Sequence, residues 1–298
     1  MSVRENVTFA SQGTSVAAWL YRPDGDGGAA RPVIVMAHGL GGVREMRLDA
    51  FAERFADAGY VCLVFDYRHF GASDGQPRQL LSVRRQRQDW AAAVAFARTL
   101  PGVDAARTVL WGSSFSGGHV IAVGAADPTI AAVVSQCPYT DGLASSLAVA
   151  PFTSLRVTLR AVRDLVGSWF GRRPRSIPLA GEPGTVALMT APDAVPGYLA
   201  LVEEGSTFRN EVAARVALDI ALGRPGAKAR RLRCPALFVV CERDTVAPAR
   251  ATLKHVAKAP QGEVVRRDTG HFDIYVGEEF ETTVRDELAF LQRHVPAT

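Results

Sequence analysis

Apolar residues in this chain fall into short blocks whose spacing changes along its length. From Val3 to Phe9 and from Val16 to Tyr21 polar and apolar positions alternate around a turn at Gly13, which predicts an antiparallel hairpin. After Pro32 the alternation gives way to compact runs: Val33 to Ala37, Val61 to Phe65, Thr108 to Trp111 and Ile130 to Val134. Helix-length stretches separate them, over Glu45 to Ala58, Arg84 to Leu100 and Ser114 to Ala126. Near-continuous apolar runs of strand length, divided by helices, predict a parallel sheet covered on both faces. The pattern stops near Gly142 and resumes with Ala236 to Cys241, a helix over Ala249 to Ala257, a strand over Glu263 to Arg267 and a closing helix over Glu278 to His294.

The interval between needs a fold of its own. Leu143 to Phe170, Ala194 to Glu203 and Phe208 to Leu222 carry apolar residues at helical period between Pro- and Gly-rich breaks; Phe208, Val212, Val216 and Ile220 are one such series. The expected organisation is therefore an α/β core of residues 1–142 and 231–298, built on a mostly parallel eight-stranded sheet, with residues 143–230 inserted as a helical cap.

Composition narrows the function classes. The 298 residues carry 34 basic and 30 acidic side chains, a net charge of +4. The basic clusters at 84–87, 172–175 and 228–233 are short and not interleaved with aromatics, so they predict solvated faces and no nucleic-acid partner. Cys62, Cys137, Cys234 and Cys241 lie in or beside apolar runs without CxxC spacing and are expected to fill the core as thiols. No leader pattern opens the chain and no apolar run is long enough to span a bilayer, which predicts a cytoplasmic location and no membrane contact. No HExxH or Cys/His cluster points to a metal, and Gly39-Leu40-Gly41-Gly42 matches neither a Walker A loop nor a Rossmann fingerprint. A homodimer through the cap or an outer helix is compatible with the sequence, but no interface is legible in it.

Chemistry is concentrated after the Thr108 to Trp111 run, where Gly112-Ser113-Ser114-Phe115-Ser116-Gly117-Gly118 opens a helix. A strand that reverses sharply into a helix pushes its central serine, Ser114, above the sheet edge. A serine hydroxyl needs a base and a carboxylate to orient that base. His271, in Asp268-Thr269-Gly270-His271-Phe272-Asp273, follows the last expected strand and is the candidate base; Asp244, after Cys241, is the candidate acid, with Asp141 and Glu242 as competitors. The amides of Phe115 and of Leu40, in His38-Gly39-Leu40-Gly41-Gly42, are the expected oxyanion donors, and His38 is expected to brace that loop. Candidate substrate contacts in the cap are Phe152, Leu155, Trp169, Phe170, Met189, Tyr198 and Phe208, with Arg209 and Asn210 available for a polar end.

On these motifs the chain resembles the α/β-hydrolase superfamily over essentially its whole length. Asp66-Tyr67-Arg68-His69-Phe70-Gly71-Ala72-Ser73-Asp74-Gly75 matches the superfamily's acidic-aromatic-glycine loop. The resemblance implies an active site built from loops after the strands and an insertion after the sixth strand that covers it. Within the superfamily the chain is similar to bacterial proteins near dienelactone hydrolases and Xaa-Pro peptidases. It departs from the first in having Ser114 where those enzymes use cysteine, from the second in showing no ammonium-binding arrangement, and from the GxSxG elbow in having Ser116 for the second glycine. The expected activity is hydrolysis of a small, apolar or aromatic carboxylic ester through an acyl-serine, without a cofactor. Alternatives are acyl transfer or lactone formation with the same triad, carbon–carbon bond hydrolysis, and a noncatalytic small-molecule-binding protein.

Overall fold

The computed structural model describes residues 2–25 and 29–297. The chain opens with an antiparallel hairpin, β1 (Val3–Ser11) and β2 (Thr14–Arg22), in which Val7 pairs with Ala18 and Phe9 with Val16. Next come β3 (Arg31–Ala37), α1 (Leu48–Asp57), β4 (Val61–Phe65), α2 (Val83–Ala97), β5 (Val103–Ser113), α3 (Phe115–Gly124) and β6 (Ala132–Gln136). The inserted segment contributes α4 (Gly142–Leu147), α5 (Pro151–Trp169), β7 (Ser176–Ile177), α6 (Ala194–Leu199), β8 (Val212–Ala213) and α7 (Val216–Leu222). The chain closes with β9 (Ala236–Cys241), α8 (Ala249–Val256), β10 (Gly262–Arg267) and α9 (Gly277–His294).

Eight strands form one sheet in the order β1-β2-β4-β3-β5-β6-β9-β10, parallel from β4 to β10 and antiparallel at the hairpin edge. The expected mostly parallel sheet is thus the observed one. Its central strands are buried on both faces, as their unbroken apolar runs require. Helices α1 and α9 pack together, α2 packs on α3, and α3 and α8 join through the 3₁₀ turn Pro225–Arg231. Strand order reverses around β3, so the loops leaving β3 and its neighbours β4 and β5 diverge and open a crevice at their carboxyl ends.

The insertion is less helical than its periodicity suggests. The stretch expected as one helix over Leu143 to Phe170 is two, because Pro151 has no amide to continue a helix and serves as the first residue of the next. The stretch expected as a helix over Phe208 to Leu222 is helical only in α7. Asn210 captures the backbone of a neighbouring loop, accepting from the Leu179 and Ala180 amides at 3.1 and 2.9 Å and donating to the Ala180 carbonyl at 2.8 Å. This holds 208–211 out of helix and lets β8 pair with β7. Among the described residues no helix is long and apolar enough to cross a membrane. All four cysteines are buried free thiols.

The layer between sheet and α9 contains one buried acid. Trp111 on β5 donates its indole N–H to Glu287 Oε2 at 3.0 Å, while Glu287 Oε1 has no hydrogen-bond partner among the described residues. Burial pushes this carboxyl up to about 8, so it folds protonated. Because the native pKa lies above the unfolded one, the group's contribution to stability is full below about pH 4.5 and is lost as pH rises toward about 8. Glu287→Gln keeps an acceptor for Trp111 without the titration. Thermal melts should therefore show the variant matching wild type near pH 5 and exceeding it by a few degrees near pH 8 to 9; a difference independent of pH would contradict a buried, titrating Glu287.

Candidate active site

Ser114 lies between β5 and α3 with φ 56° and ψ −117°, a backbone conformation that L residues rarely adopt. Two bonds clamp it: its amide donates to the Gln136 carbonyl at 2.9 Å, and its carbonyl accepts from the Tyr139 amide at 2.9 Å. The turn is crowded. A Cβ at Gly112 would lie 2.5 Å from the Ser116 carbonyl oxygen, and one at Gly39 would lie 2.8 Å from Ser114 Cβ. Glycine at 112 lets strand and helix close on each other, and glycine at 39 lets the β3 loop reach the serine. Ser116, the departure from GxSxG, is buried and hydrogen-bonds the Tyr67 hydroxyl, which also accepts the Trp90 indole N–H at 2.7 Å. The extra hydroxyl therefore ties the elbow to the β4 loop without widening the turn.

The three sequence candidates for chemistry meet in a hydrogen-bonded line. Ser114 Oγ is 2.9 Å from His271 Nε2, and His271 Nδ1 is 2.6 Å from Asp244 Oδ2. The His271 and Asp244 side chains are each only 2 % exposed. Asp244 Oδ1 accepts from the Val246 and Ala247 amides at 2.8 and 2.6 Å, so an Asx turn after β9 aims the second oxygen at the imidazole. The turn before His271 is held by Asp273, which accepts from Thr269 Oγ1 and the Gly270 amide, each at 2.8 Å. Burial disfavours the imidazolium, but the Asp244 charge and hydrogen bond outweigh it and hold the His271 pKa above its ordinary value. The competing acids are engaged elsewhere: Asp141 with His255 and Arg224, Glu242 with Arg266.

Leu40 and Phe115 line one cavity with Ser114. The amide of Phe115, first residue of α3, has no acceptor within its helix and points along the helix dipole's positive end. The Leu40 loop is braced from two sides. Tyr198 donates its hydroxyl to the Leu40 carbonyl at 2.6 Å, and His38 Nδ1 donates to the Gly39 carbonyl at 2.9 Å. Burial lowers the His38 pKa to about 4, so this histidine is neutral where it donates to the loop.

The cavity holds about 170 Å³. Val149, Val157, Met189 and Ile220 from the insertion face Tyr139 and Val246 from the core, with hydroxyls of Ser145, Ser154, Thr158 and Thr190 among them. None of its lining residues is charged. A smaller space of about 30 Å³ shares Ser114, Leu40 and Met189 and extends to His271, Tyr198 and Phe272.

Of the expected substrate contacts, only Met189 and Tyr198 reach these spaces. Phe152, Leu155, Trp169 and Phe170 face solvent, because α5 seats Thr153, Val157 and Ala161 inward. Phe208 packs edge-on against Tyr198, with ring centroids 5.5 Å apart, and lines neither space. Arg209 is exposed: Glu45 accepts from the Thr207 amide at 2.6 Å and Asn210 anchors the other side, leaving the arginine turned outward. The small residues that do line the cavity, such as Ala187, Ala217 and Ala247, carry no chemical signal in sequence. Cys137 was expected only as core filling. Its sulfur lies 4.0 Å from His271 Nε2, the nitrogen that faces Ser114, and 3.8 Å from the Tyr275 hydroxyl.

Comparison with known proteins agrees with this architecture. The quorum-quenching protein AidA of Acinetobacter baumannii (strain MDR-ZJ06) is 53 % identical over 98 % of this chain and 95 % of its own length. The polyketide transferase grgF of Penicillium sp is 26 % identical over 98 % and 97 %. The crystal structure of the alpha/beta hydrolase GrgF from Penicillium sp. sh18 superposes with a TM-score of 0.83 at 25 % identity, covering 98 % of this chain and 99 % of that one. The model of the alpha/beta hydrolase family matches residues 34–283. With its strand order, its serine elbow and that match, the chain belongs to the alpha/beta hydrolase family.

Proposed function

We propose that this protein is a serine hydrolase that opens carboxylic esters, open-chain or cyclic, through an acyl-Ser114 intermediate. The observation that carries the reading is the hydrogen-bonded line Ser114–His271–Asp244 at the wall of an uncharged, largely apolar cavity. As Ser114 Oγ attacks the carbonyl carbon, His271 Nε2 takes its proton and the Leu40 and Phe115 amides receive the charge developing on the carbonyl oxygen. Asp244 keeps the Nδ1 proton in place and balances the imidazolium. The tetrahedral intermediate collapses, the carbon–oxygen bond to the leaving group breaks, and the Nε2 proton passes to the departing oxygen. Water then attacks the acyl-serine with His271 again as base, releasing the acid and restoring Ser114.

In this reading residues 143–230 act as a cap whose α4, α5 and α7 wall the acyl cavity, which suits an apolar acyl group and disfavours a charged one. The 53 % identity to a protein named for quorum quenching supports a signalling molecule with an ester or lactone group as the physiological substrate. A second reading, acyl transfer to an acceptor other than water, uses the same acyl-Ser114. It is supported by the 26 % identity to a polyketide transferase and by the largely apolar lining of the cavity.

Intact-mass measurement with activated esters should show an acyl adduct on wild type and none on Ser114→Ala, whose turnover should fall by at least about 10⁴-fold. An adduct that persists in the alanine variant would refute the assignment. Asp244→Asn should lower kcat by about 10³- to 10⁴-fold. Because Asp244 raises the His271 pKa and the base must be neutral, activity rises with pH through that pKa, and the acid limb of kcat/KM should move to lower pH in the variant. An unmoved limb would mean that His271 is not the titrating base. Tyr198→Phe frees the Leu40 carbonyl and should reduce kcat about tenfold with little change in KM, since the oxyanion amide matters most in the transition state; a loss confined to KM would make Tyr198 a substrate contact instead.

A further inference from the structure

The outward face of α5 is as apolar as its inward one. Phe152, Leu155, Leu159, Val162, Val166 and Trp169 follow one another at intervals of three and four residues, and each is 38–72 % exposed. Thr153, Val157 and Ala161 already seat the helix on the body of the protein, so this second stripe is left uncovered among the described residues. An ordinary surface helix is polar on its outer face. Strict three-four alternation through six positions is the spacing of a helix-pairing seam, in which each side chain fits between those of a facing helix.

We propose that this stripe is the contact face of a homodimer, covered by the same surface of a second copy of the chain. The size of the patch supports it. With Phe170, at ordinary side-chain areas, the stripe exposes on the order of 800 Å², which is what one partner contributes to a standard stable interface. That exceeds the roughly 300–600 Å² typical of the largest patch on a monomer. The helix has 19 residues, long enough at about 1.5 Å per residue to carry the whole seam without interruption.

The arginines beside the stripe argue for a protein partner over an anionic bilayer. Arg156 lies over the Phe152 ring, 5.7 Å from its centroid, and donates to the Gly184 carbonyl at 3.5 Å; Arg160 donates to the Ser176 carbonyl at 2.9 Å. Two of the three exposed arginines of the helix thus fold back onto the chain's own oxygens and do not reach out as headgroup ligands. The pairing also bears on the site. Ser154, Val157 and Thr158 of the same helix line the acyl cavity, so a partner on the outer face steadies the cavity wall.

The test is sedimentation velocity on the full chain at micromolar concentration. Wild type is expected at twice the 31.9 kDa chain mass, and Leu159→Glu with Val162→Glu at the single-chain mass with unchanged circular dichroism and a Tm that no longer rises with protein concentration, since both side chains are exposed in the single chain. Should that pair fail to fold, Phe152→Ser with Trp169→Ser, at the ends of the stripe, must show the same halving. A wild type that stays monomeric overturns the proposal, as does a dimer that survives either folded variant. A monomer that instead co-sediments with phosphatidylglycerol vesicles overturns it in favour of a lipid surface.

Discussion

The strained backbone at Ser114 governs the rest of the site. A non-glycine residue held at φ 56° costs of order 1–3 kcal/mol and persists only where its surroundings leave it no alternative. Here the surroundings are the amide bond to the Gln136 carbonyl, the carbonyl bond from the Tyr139 amide, and contacts so close at Gly112 and Gly39 that a methyl group would not fit. In return the hydroxyl stands above the sheet edge, beside the first free amide of α3 and within reach of a histidine from the last loop.

The same economy of space explains the buried polar groups behind the site. Asp66 follows β4 and accepts from the Arg44 and Ala72 amides at 2.8 and 3.1 Å, which ties the loop after β3 to the loop after β4; burial raises its carboxyl to about 6 even beside Arg44. Arg68 pairs with buried Asp89 on α2, whose Oδ1 also accepts the Ser11 hydroxyl at 2.6 Å. These bonds keep the Leu40 loop at one distance from the serine. A flexible loop would lose the preorganisation on which oxyanion stabilisation depends.

Helix α5 joins two roles that a folded chain normally keeps apart. Its inner face closes the cavity at the serine, and its outer face offers an apolar ridge to another molecule. Ser154, Val157 and Thr158 line the cavity from this helix, so its seating sets the shape of that wall. The walls of the cavity thus come largely from residues 143–230, while the Ser114–His271–Asp244 line is carried by loops of the sheet.

The order of strands and helices in the core, the serine elbow, and the aspartate and histidine that meet its serine were legible in the sequence because each has a local signature. A buried parallel strand reads as an unbroken apolar run, as Val61 to Phe65 does, and the elbow as small residues between strand and helix. The insertion was not legible to the same depth. Its apolar residues serve two surfaces, and periodicity cannot tell which one a side chain faces: Phe152 and Trp169 have the spacing of a buried stripe, yet lie outside. Likewise Phe208 to Val212 has helical spacing, but Asn210 bonds a distant loop and draws the segment out of helix. The sequence by itself thus determined the core and the serine, aspartate and histidine it brings together, which rest on local pattern. Only the tertiary structure decided the pocket, because its walls are small residues such as Ala187 and Ala217 brought together by contacts far apart along the chain.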